Sequence, residues 1–294
     1  MKKVLITGGT VFVSRYIAEH YAAKGCEVYV LNRNTRAQSE GVKLIEADRH
    51  ALGDRLKGLH FDLVVDTAYT AEDIKSLAQA LDGYDDYVLI SSSAVYPETT
   101  DKPFSEEAPL GRNAIWGDYG LNKIAAERAL HDLDKAAYII RPPYLYGPMN
   151  NVYREAFVFD RALEGKPFNL PKDGLMKLQF FYIGDLCEMI DALLAQRPQE
   201  RIFNVGNKDG ITVREWVELC YEAAGRKAEF RNIYDDIPYR EYFCFPEYEY
   251  VLSVEKQERI LKRTVPMKDG LKQAFSWYLN NRPLINIRNY RDFD

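Results

Sequence analysis

The sequence predicts a doubly wound α/β fold: a parallel sheet with helices on both faces, followed by a smaller C-terminal substrate-binding domain. Two observations carry this expectation. The chain opens on a short apolar strand, a glycine turn and a helix, and five further strands then alternate with helices until Pro142-Pro143 breaks the pattern.

Val4-Leu5-Ile6 forms the first strand and runs into Thr7-Gly8-Gly9-Thr10. Residues 12–24 read as a helix, with Phe12, Val13, Tyr16 and Ile17 at helical spacing and Gly25 as its terminator. Residues 26–31 give the next strand. Strand, glycine turn, helix and strand make the βαβ unit of a Rossmann-like dinucleotide site, in which backbone N–H groups and a helix N-terminus face a pyrophosphate. Further strands are expected at 42–47, 61–66, 87–90 and 136–141, and helices at 72–81 and 118–133. The run 61–66 is largely apolar, as a strand buried on both faces requires. Residues 1–150, with a return around 180–206, are assigned to the dinucleotide-binding domain. Residues 151–179 and 207–294, dense in turns, prolines and tyrosines, are assigned to the substrate-binding domain.

The strand at 87–90 delivers Ser91-Ser92-Ser93 at its carboxyl end, where a doubly wound sheet binds ligands. Tyr119 and Lys123 lie one helical turn apart. A free phenol titrates near ~10, so a tyrosine base working near neutrality needs a shift of roughly three units, about 4 kcal/mol. A lysine ammonium on the same helix face is one source of it.

Composition excludes several classes. A net charge of −5 argues against a binder of phosphate backbones. No apolar run approaches the ~20 residues of a membrane span, and the apolar stretch after Lys2-Lys3 is too short for a signal peptide. Cys26, Cys187, Cys220 and Cys244 form no C-x-x-C, so buried free thiols in a reducing cytoplasm are expected. His20, His50, His60 and His131 show no metal-ligand spacing, and no metal is expected.

Seven motifs stand in order along the chain. They are Thr7-Gly8-Gly9-Thr10, Ser91 to Tyr96, Tyr119-x-x-x-Lys123, Arg141 to Pro148, Phe181 to Leu186, Phe203 to Gly206, and Asp269-Gly270-Leu271. Together they resemble the extended short-chain dehydrogenase/reductase family, the NAD(P)-dependent nucleotide-sugar epimerases and dehydratases. The T-G-G-T-x-F variant resembles a subgroup that also contains chloroplast RNA-binding proteins.

The resemblance implies roles. Tyr119 is the expected acid/base, Lys123 the residue that holds the nicotinamide ribose and depresses the Tyr119 pKa, and Ser92 the hydroxyl on the reacting oxygen, with Ser93 its rival. Thr7, Gly8, Gly9, Thr10, Val11 and Phe12 are expected along the pyrophosphate, and Asp48 beside the adenine. Thr67, Ala68, Ser91 and Pro143 are expected along the rest of the cofactor. Of the family's three glycines at spacing three, the chain keeps Gly8 and has Val11 and Ser14 at the others. The second strand ends in Asn32-Arg33 without an acid, which favours NADP over NAD, since an arginine there can take a 2′-phosphate.

A nucleotide sugar is the implied substrate, lined by Ser93, Tyr144, Tyr146 and Asn150. The family's arginine for the diphosphate falls on Leu178, so Arg154 or Lys177 is expected to replace it. The tyrosines and phenylalanines between Tyr239 and Tyr250 read as core rather than as a stacking surface. A homodimer through the helices at 72–81 and 118–133 is implied, their apolar sides carrying Ile74, Leu77, Ala78, Leu81, Ile124 and Leu130. A reductase of a small carbonyl compound, a non-catalytic dinucleotide sensor and an RNA-binding relative are the alternatives.

Overall fold

The computed structural model describes residues 1–293. Its first part runs β1 (Lys3–Thr7), α1 (Phe12–Ala23), β2 (Glu27–Asn32), β3 (Val42–Glu46), β4 (His60–Asp66), α2 (Ala71–Ala80) and β5 (Gly83–Ile90). A 3-10 turn at Ser93–Val95 precedes α3 (Asp118–Leu133) and β6 (Tyr138–Arg141). There follow β7 (Tyr144–Tyr146), α4 (Glu155–Leu163), β8 (Phe168–Pro171), β9 (Lys177–Leu178), β10 (Phe180–Tyr182), α5 (Ile183–Gln196) and β11 (Ile202–Asn204). The chain closes with β12 (Ile211–Thr212), α6 (Val213–Ala223), β13 (Phe230–Ile233), α7 (Tyr239–Tyr242), α8 (Glu255–Ile260) and α9 (Met267–Asn281).

Seven parallel strands form one sheet in the order β11-β6-β5-β4-β1-β2-β3. Both faces are buried, and neighbouring residues supply opposite ones. Val4, Ile6, Leu63, Val65, Val88 and Ile90 join one core cluster, while Leu5, Val64 and Leu89 join the other. The first cluster packs under α1 and α5 and continues into Trp216, Phe245 and Leu271 of the C-terminal part. The second lies under α2 and α3 and buries Ile74, Leu77 and Leu130.

Within the seven-stranded sheet, β5 and β11 depart most from the sequence expectation. β5 begins at Gly83, four residues before the apolar run, because Gly83-Tyr84-Asp85-Asp86 pairs in register with β4 despite its polarity. β11 was not expected as a strand. Its three residues are too short for a periodic signal and are fixed by pairing Ile202 to Ile139 and Asn204 to Arg141.

α2 is capped reciprocally: Asp73 N–H donates to Thr70 Oγ1 at 3.2 Å and Thr70 N–H to Asp73 Oδ2 at 2.9 Å. Of the apolar residues expected on a dimer face of α2 and α3, Ile74, Leu77, Ile124 and Leu130 are buried in the core, while Ala78 and Leu81 are only partly covered. The histidine reading also missed a cluster. His20 of α1 meets Glu188 and Asp191 of α5, with the Lys24 ammonium bonded to the same Asp191 carboxylate.

Candidate active site

The glycine turn is forced by contact. Gly8 and Gly9 have φ of +89° and +86°. A Cβ on Gly9 would sit 2.4 Å from Val30 Cγ1, and one on Gly8 2.8 Å from Ser14 Oγ. Ser14, at the third glycine position, therefore packs directly beneath Gly8 and bonds Val11 O at 3.1 Å. Val11 caps α1 without a side-chain hydrogen bond, and no acid stands in the first turn. The helix N-terminus thus keeps free N–H groups and its positive dipole end, the arrangement that takes a pyrophosphate.

A buried carboxylate braces this turn. Asp66, at the end of β4, accepts from Thr7 Oγ1 at 2.6 Å, from Tyr87 OH at 2.6 Å and from Arg49 Nη2 at 3.1 Å. Thr7 Oγ1 in turn accepts from Thr67 N–H at 2.9 Å. These bonds fix the carboxyl ends of β1 and β4, where the strand order reverses and doubly wound sheets hold their ligands. A cavity of about 480 Å³ lies there, lined by Thr7, Gly8, Thr10, Asn32, Arg33 and Asp48. It meets a cavity of about 450 Å³ at Thr67. Gly9 and Ala68 do not line either one.

Asn32 does not face outward to a ribose. Its Nδ2 donates to Gly8 O at 2.7 Å and its Oδ1 accepts from Asn34 N–H at 2.8 Å, tying the end of β2 to the turn. Arg33 and Arg36 are exposed and form no ion pair among the described residues.

The second cavity carries Ser91, Ser92, Tyr119, Lys123 and Pro143. Ser92 Oγ accepts from Ala94 N–H at 3.2 Å and lies on the same cavity wall as the Tyr119 phenol. Ser93 instead donates to Tyr250 OH at 3.0 Å. The two serines are thus distinguished: Ser92 meets Tyr119, and Ser93 reaches the C-terminal part. Lys123, buried, donates to Ala68 O at 2.7 Å and Ile90 O at 2.8 Å, which leaves one N–H of its ammonium.

Burial pushes the Lys123 pKa down to about 8, against the pull of Asp66 and Glu127. Burial likewise holds the Tyr119 phenol above its ordinary value, against the neighbouring Ser92 hydroxyl and the Arg154 charge. The Lys123 ammonium is turned onto the Ala68 and Ile90 carbonyls.

Substrate residues divide. Tyr144 and Arg154 line the cleft, with the Arg154 guanidinium 4.8 Å above the Tyr144 ring. Tyr146 does not: it is buried between Phe180 and Tyr182. Asn150 is buried as well, donating to Glu155 Oε1 at 2.9 Å and accepting from Val152 N–H at 3.0 Å, so it shapes the loop before Arg154. Lys177 is exposed on β9, its N–H bonded to Glu249, and it does not line the cleft. Sequence reasoning missed Arg49 and Trp116, and it read Tyr250 as core, where the residue is buried yet also lines the cleft. Trp116 carried the one available signal, an aromatic three residues ahead of Tyr119.

A glycine turn thus stands at the switch point of the sheet, and one groove joins it to the cleft that holds Ser92 and Tyr119. Residues 4–206 match the NAD dependent epimerase/dehydratase family, and the chain belongs to that enzyme family. It is 26% identical over 307 residues to the chloroplast stem-loop binding protein of 41 kDa b of Arabidopsis thaliana, covering 94% of this chain and 79% of that protein. It is also 26% identical over 210 residues to a UDP-glucuronate 4-epimerase of Thermodesulfobacterium geofontis, covering 67% of this chain and 60% of that one. The crystal structure of UDP-glucuronic acid 4-epimerase from Bacillus cereus, with UDP-glucuronic acid and NAD, superposes with a TM-score of 0.73 at 18% identity, over 95% of this chain and 99% of that one. No helix among the described residues is long and apolar enough to cross a membrane.

Proposed function

We propose that this chain oxidises and re-reduces a single carbinol carbon of a nucleotide-diphospho-sugar, an epimerase-type reaction. Tyr119 is assigned as proton carrier and Ser92 as holder of the reacting oxygen. The observation that carries the reading is the Ser92–Tyr119 pair in a cleft with no carboxylate, imidazole or thiol among its lining residues. Removing water from a sugar needs a base for a carbon-bound proton and an acid for the leaving hydroxyl, beyond the group on the oxidised carbon's oxygen. Burial favours the neutral phenol of Tyr144 and of Tyr250, so neither offers a ready base for the carbon-bound proton.

The residues fit a nicotinamide dinucleotide. The Gly8-Gly9 cradle would be filled by any Cβ, the α1 N-terminus is uncapped, and one Lys123 N–H is left for a ribose hydroxyl. When bound, the nicotinamide supplies the hydride acceptor and donor, and its positive charge favours the Tyr119 phenolate. Tyr119 takes the hydroxyl proton of the reacting carbon and later returns it. Ser92 keeps that oxygen within reach of Tyr119. NADP is the preferred form in this reading, supported by the exposed Arg33 and Arg36 and by an Asn32 side chain occupied elsewhere.

Incubation with NAD or NADP and a panel of nucleotide-diphospho-sugars, followed by mass spectrometry and NMR, tests the reading. The expected product has the substrate's mass and an inverted carbinol. Loss of water would replace it with a dehydratase. Turnover of small carbonyl compounds alone would replace it with a reductase. Salt-dependent retention of RNA without turnover would favour the activity named for the Arabidopsis relative.

A further inference from the structure

Away from the cleft, His20, Glu188 and Asp191 each bring a ligand atom to one spot, all within 4.8 Å of one another. Glu188 and Asp191 stand three residues apart on α5 and so share a face. His20, near the end of α1, meets that face with its Nε2 2.9 Å from Asp191 Oδ2. None of the three lines the cavities that hold the glycine turn, Ser92 and Tyr119. His20 follows Phe12 by eight residues, which puts the cluster about 12 Å along α1 from its N-terminus.

Two features of this spot favour a cation. The first is its charge. Glu188 stands beside a second carboxylate, and it forms no hydrogen bond or ion pair among the described residues. The Lys24 ammonium, bonded to Asp191, offsets the repulsion between the two acids. Its side chain is 46% exposed on a flexible stem, so it can leave for water without stranding a buried charge. The second feature is Tyr21. It is 4% accessible, and its hydroxyl has no hydrogen-bond partner among the described residues. The Tyr21 ring stands edge-on to His20, with ring centroids 5.1 Å apart, and its phenol neighbours the Asp191 carboxylate. Burial keeps that phenol protonated, so it is a donor still unspent. A donor placed behind a carboxylate in this way orients it as a metal ligand.

We propose that His20, Glu188 and Asp191 form a site for one divalent transition-metal ion of the zinc class, which displaces Lys24 and ties α1 to α5. One imidazole and two carboxylates suit zinc or manganese rather than calcium or magnesium, which take oxygen ligands alone. Tyr21 then donates to the Asp191 carboxylate or to a water in the ion's fourth position. The N-terminus of α1 faces the glycine turn, so the ion braces that turn from the far end of the helix.

Titration of the chelator-treated full chain with Zn²⁺, read by calorimetry and by melting temperature, tests this. One Zn²⁺ per chain is expected, with a raised melting temperature and no saturable heat from Mg²⁺ or Ca²⁺ at the same concentrations. His20→Gln and Glu188→Gln are each expected to weaken Zn²⁺ binding by about tenfold or more. Lys24→Met is expected to tighten it severalfold, since a competing ammonium and its charge leave the site. Glu188 is exposed and unbonded, so Glu188→Gln keeps the fold, which circular dichroism verifies. Zn²⁺ binding carried by the cysteines would survive Glu188→Gln and overturn the proposal. So would the lack of a one-to-one site in the parent protein, or an affinity that Lys24→Met lowers or leaves unchanged.

Discussion

Gly120 and Ala94 touch so closely that the helix carrying Tyr119 rests on the turn carrying Ser92. A Cβ on Gly120 would lie 2.2 Å from the Ala94 carbonyl oxygen. Gly120→Ala therefore pushes α3 off the serine turn. Overpacking of this kind costs about 1–3 kcal/mol. Denaturant melts should show that loss, and kcat should fall more than cofactor affinity, because the Ser92–Tyr119 pairing is disturbed while the glycine turn is not. Unchanged stability would mean that the helix has room to shift.

Tyr119→Phe removes one hydroxyl and should cost at least ~10²-fold in kcat. NAD(P) affinity, read by calorimetry, should stay near the parent's. A fully active Tyr119→Phe protein would remove Tyr119 from the mechanism.

Glu127 and Arg141 form a buried bidentate pair, with bonds of 3.0 and 2.6 Å, extended by Ser91 on one side and Tyr96 on the other. Glu127→Ala strands the Arg141 charge and should destabilise by about 3–5 kcal/mol. The double change Glu127→Leu with Arg141→Met should cost less than Glu127→Ala alone. A double variant that is weaker still would show that the pair contributes net stability.

Asp185 is buried at the start of α5, and that burial pushes its carboxyl up to about 7, against a Val265 N–H at 3.0 Å. The folded protein then binds more protons than the unfolded chain between pH ~4 and ~7, so stability falls as pH rises through that window and levels off above it. Asp185→Asn keeps an acceptor for Val265 and removes the charge. It should flatten the fall, by up to about 4 kcal/mol. Urea melts at pH 5 and pH 8 decide it, and equal slopes in both proteins would show that Asp185 titrates normally.

Arg33→Asp should weaken NADPH more than NADH, since the reading assigns Arg33 to the 2′-phosphate. Equal losses would assign Arg33 to neither form. A homodimer through α2 and α3 is proposed on narrower ground than the sequence suggested. Leu121 and Leu133 of α3 are the exposed apolar positions, 36% and 56% accessible. Light scattering at micromolar concentration should give twice the chain mass; the single mass would remove that interface.

The sheet and its helices were legible because burial on both faces leaves long apolar runs and glycines mark the turns. The polar Gly83–Asp86 stretch and the three residues of β11 were not, since strand pairing rather than composition creates them. In the site, Ser92, Tyr119 and Lys123 were legible as a pattern, but where the Lys123 ammonium points depends on the Ala68 and Ile90 carbonyls, from two other segments. His20 could not be connected to Glu188 and Asp191 by any local spacing; the packing of α1 against α5 brings them together.

The apolar cluster that begins at Val4 and Ile6 does not stop at the sheet but passes through Tyr144 and Phe180 to Phe245 and Leu271. Two regions that share one interior are poorly placed to melt separately. Calorimetry should therefore record a single cooperative transition whose van't Hoff and calorimetric enthalpies agree. Cofactor at the glycine turn should raise that same melting temperature, so occupancy at one end protects the other from unfolding.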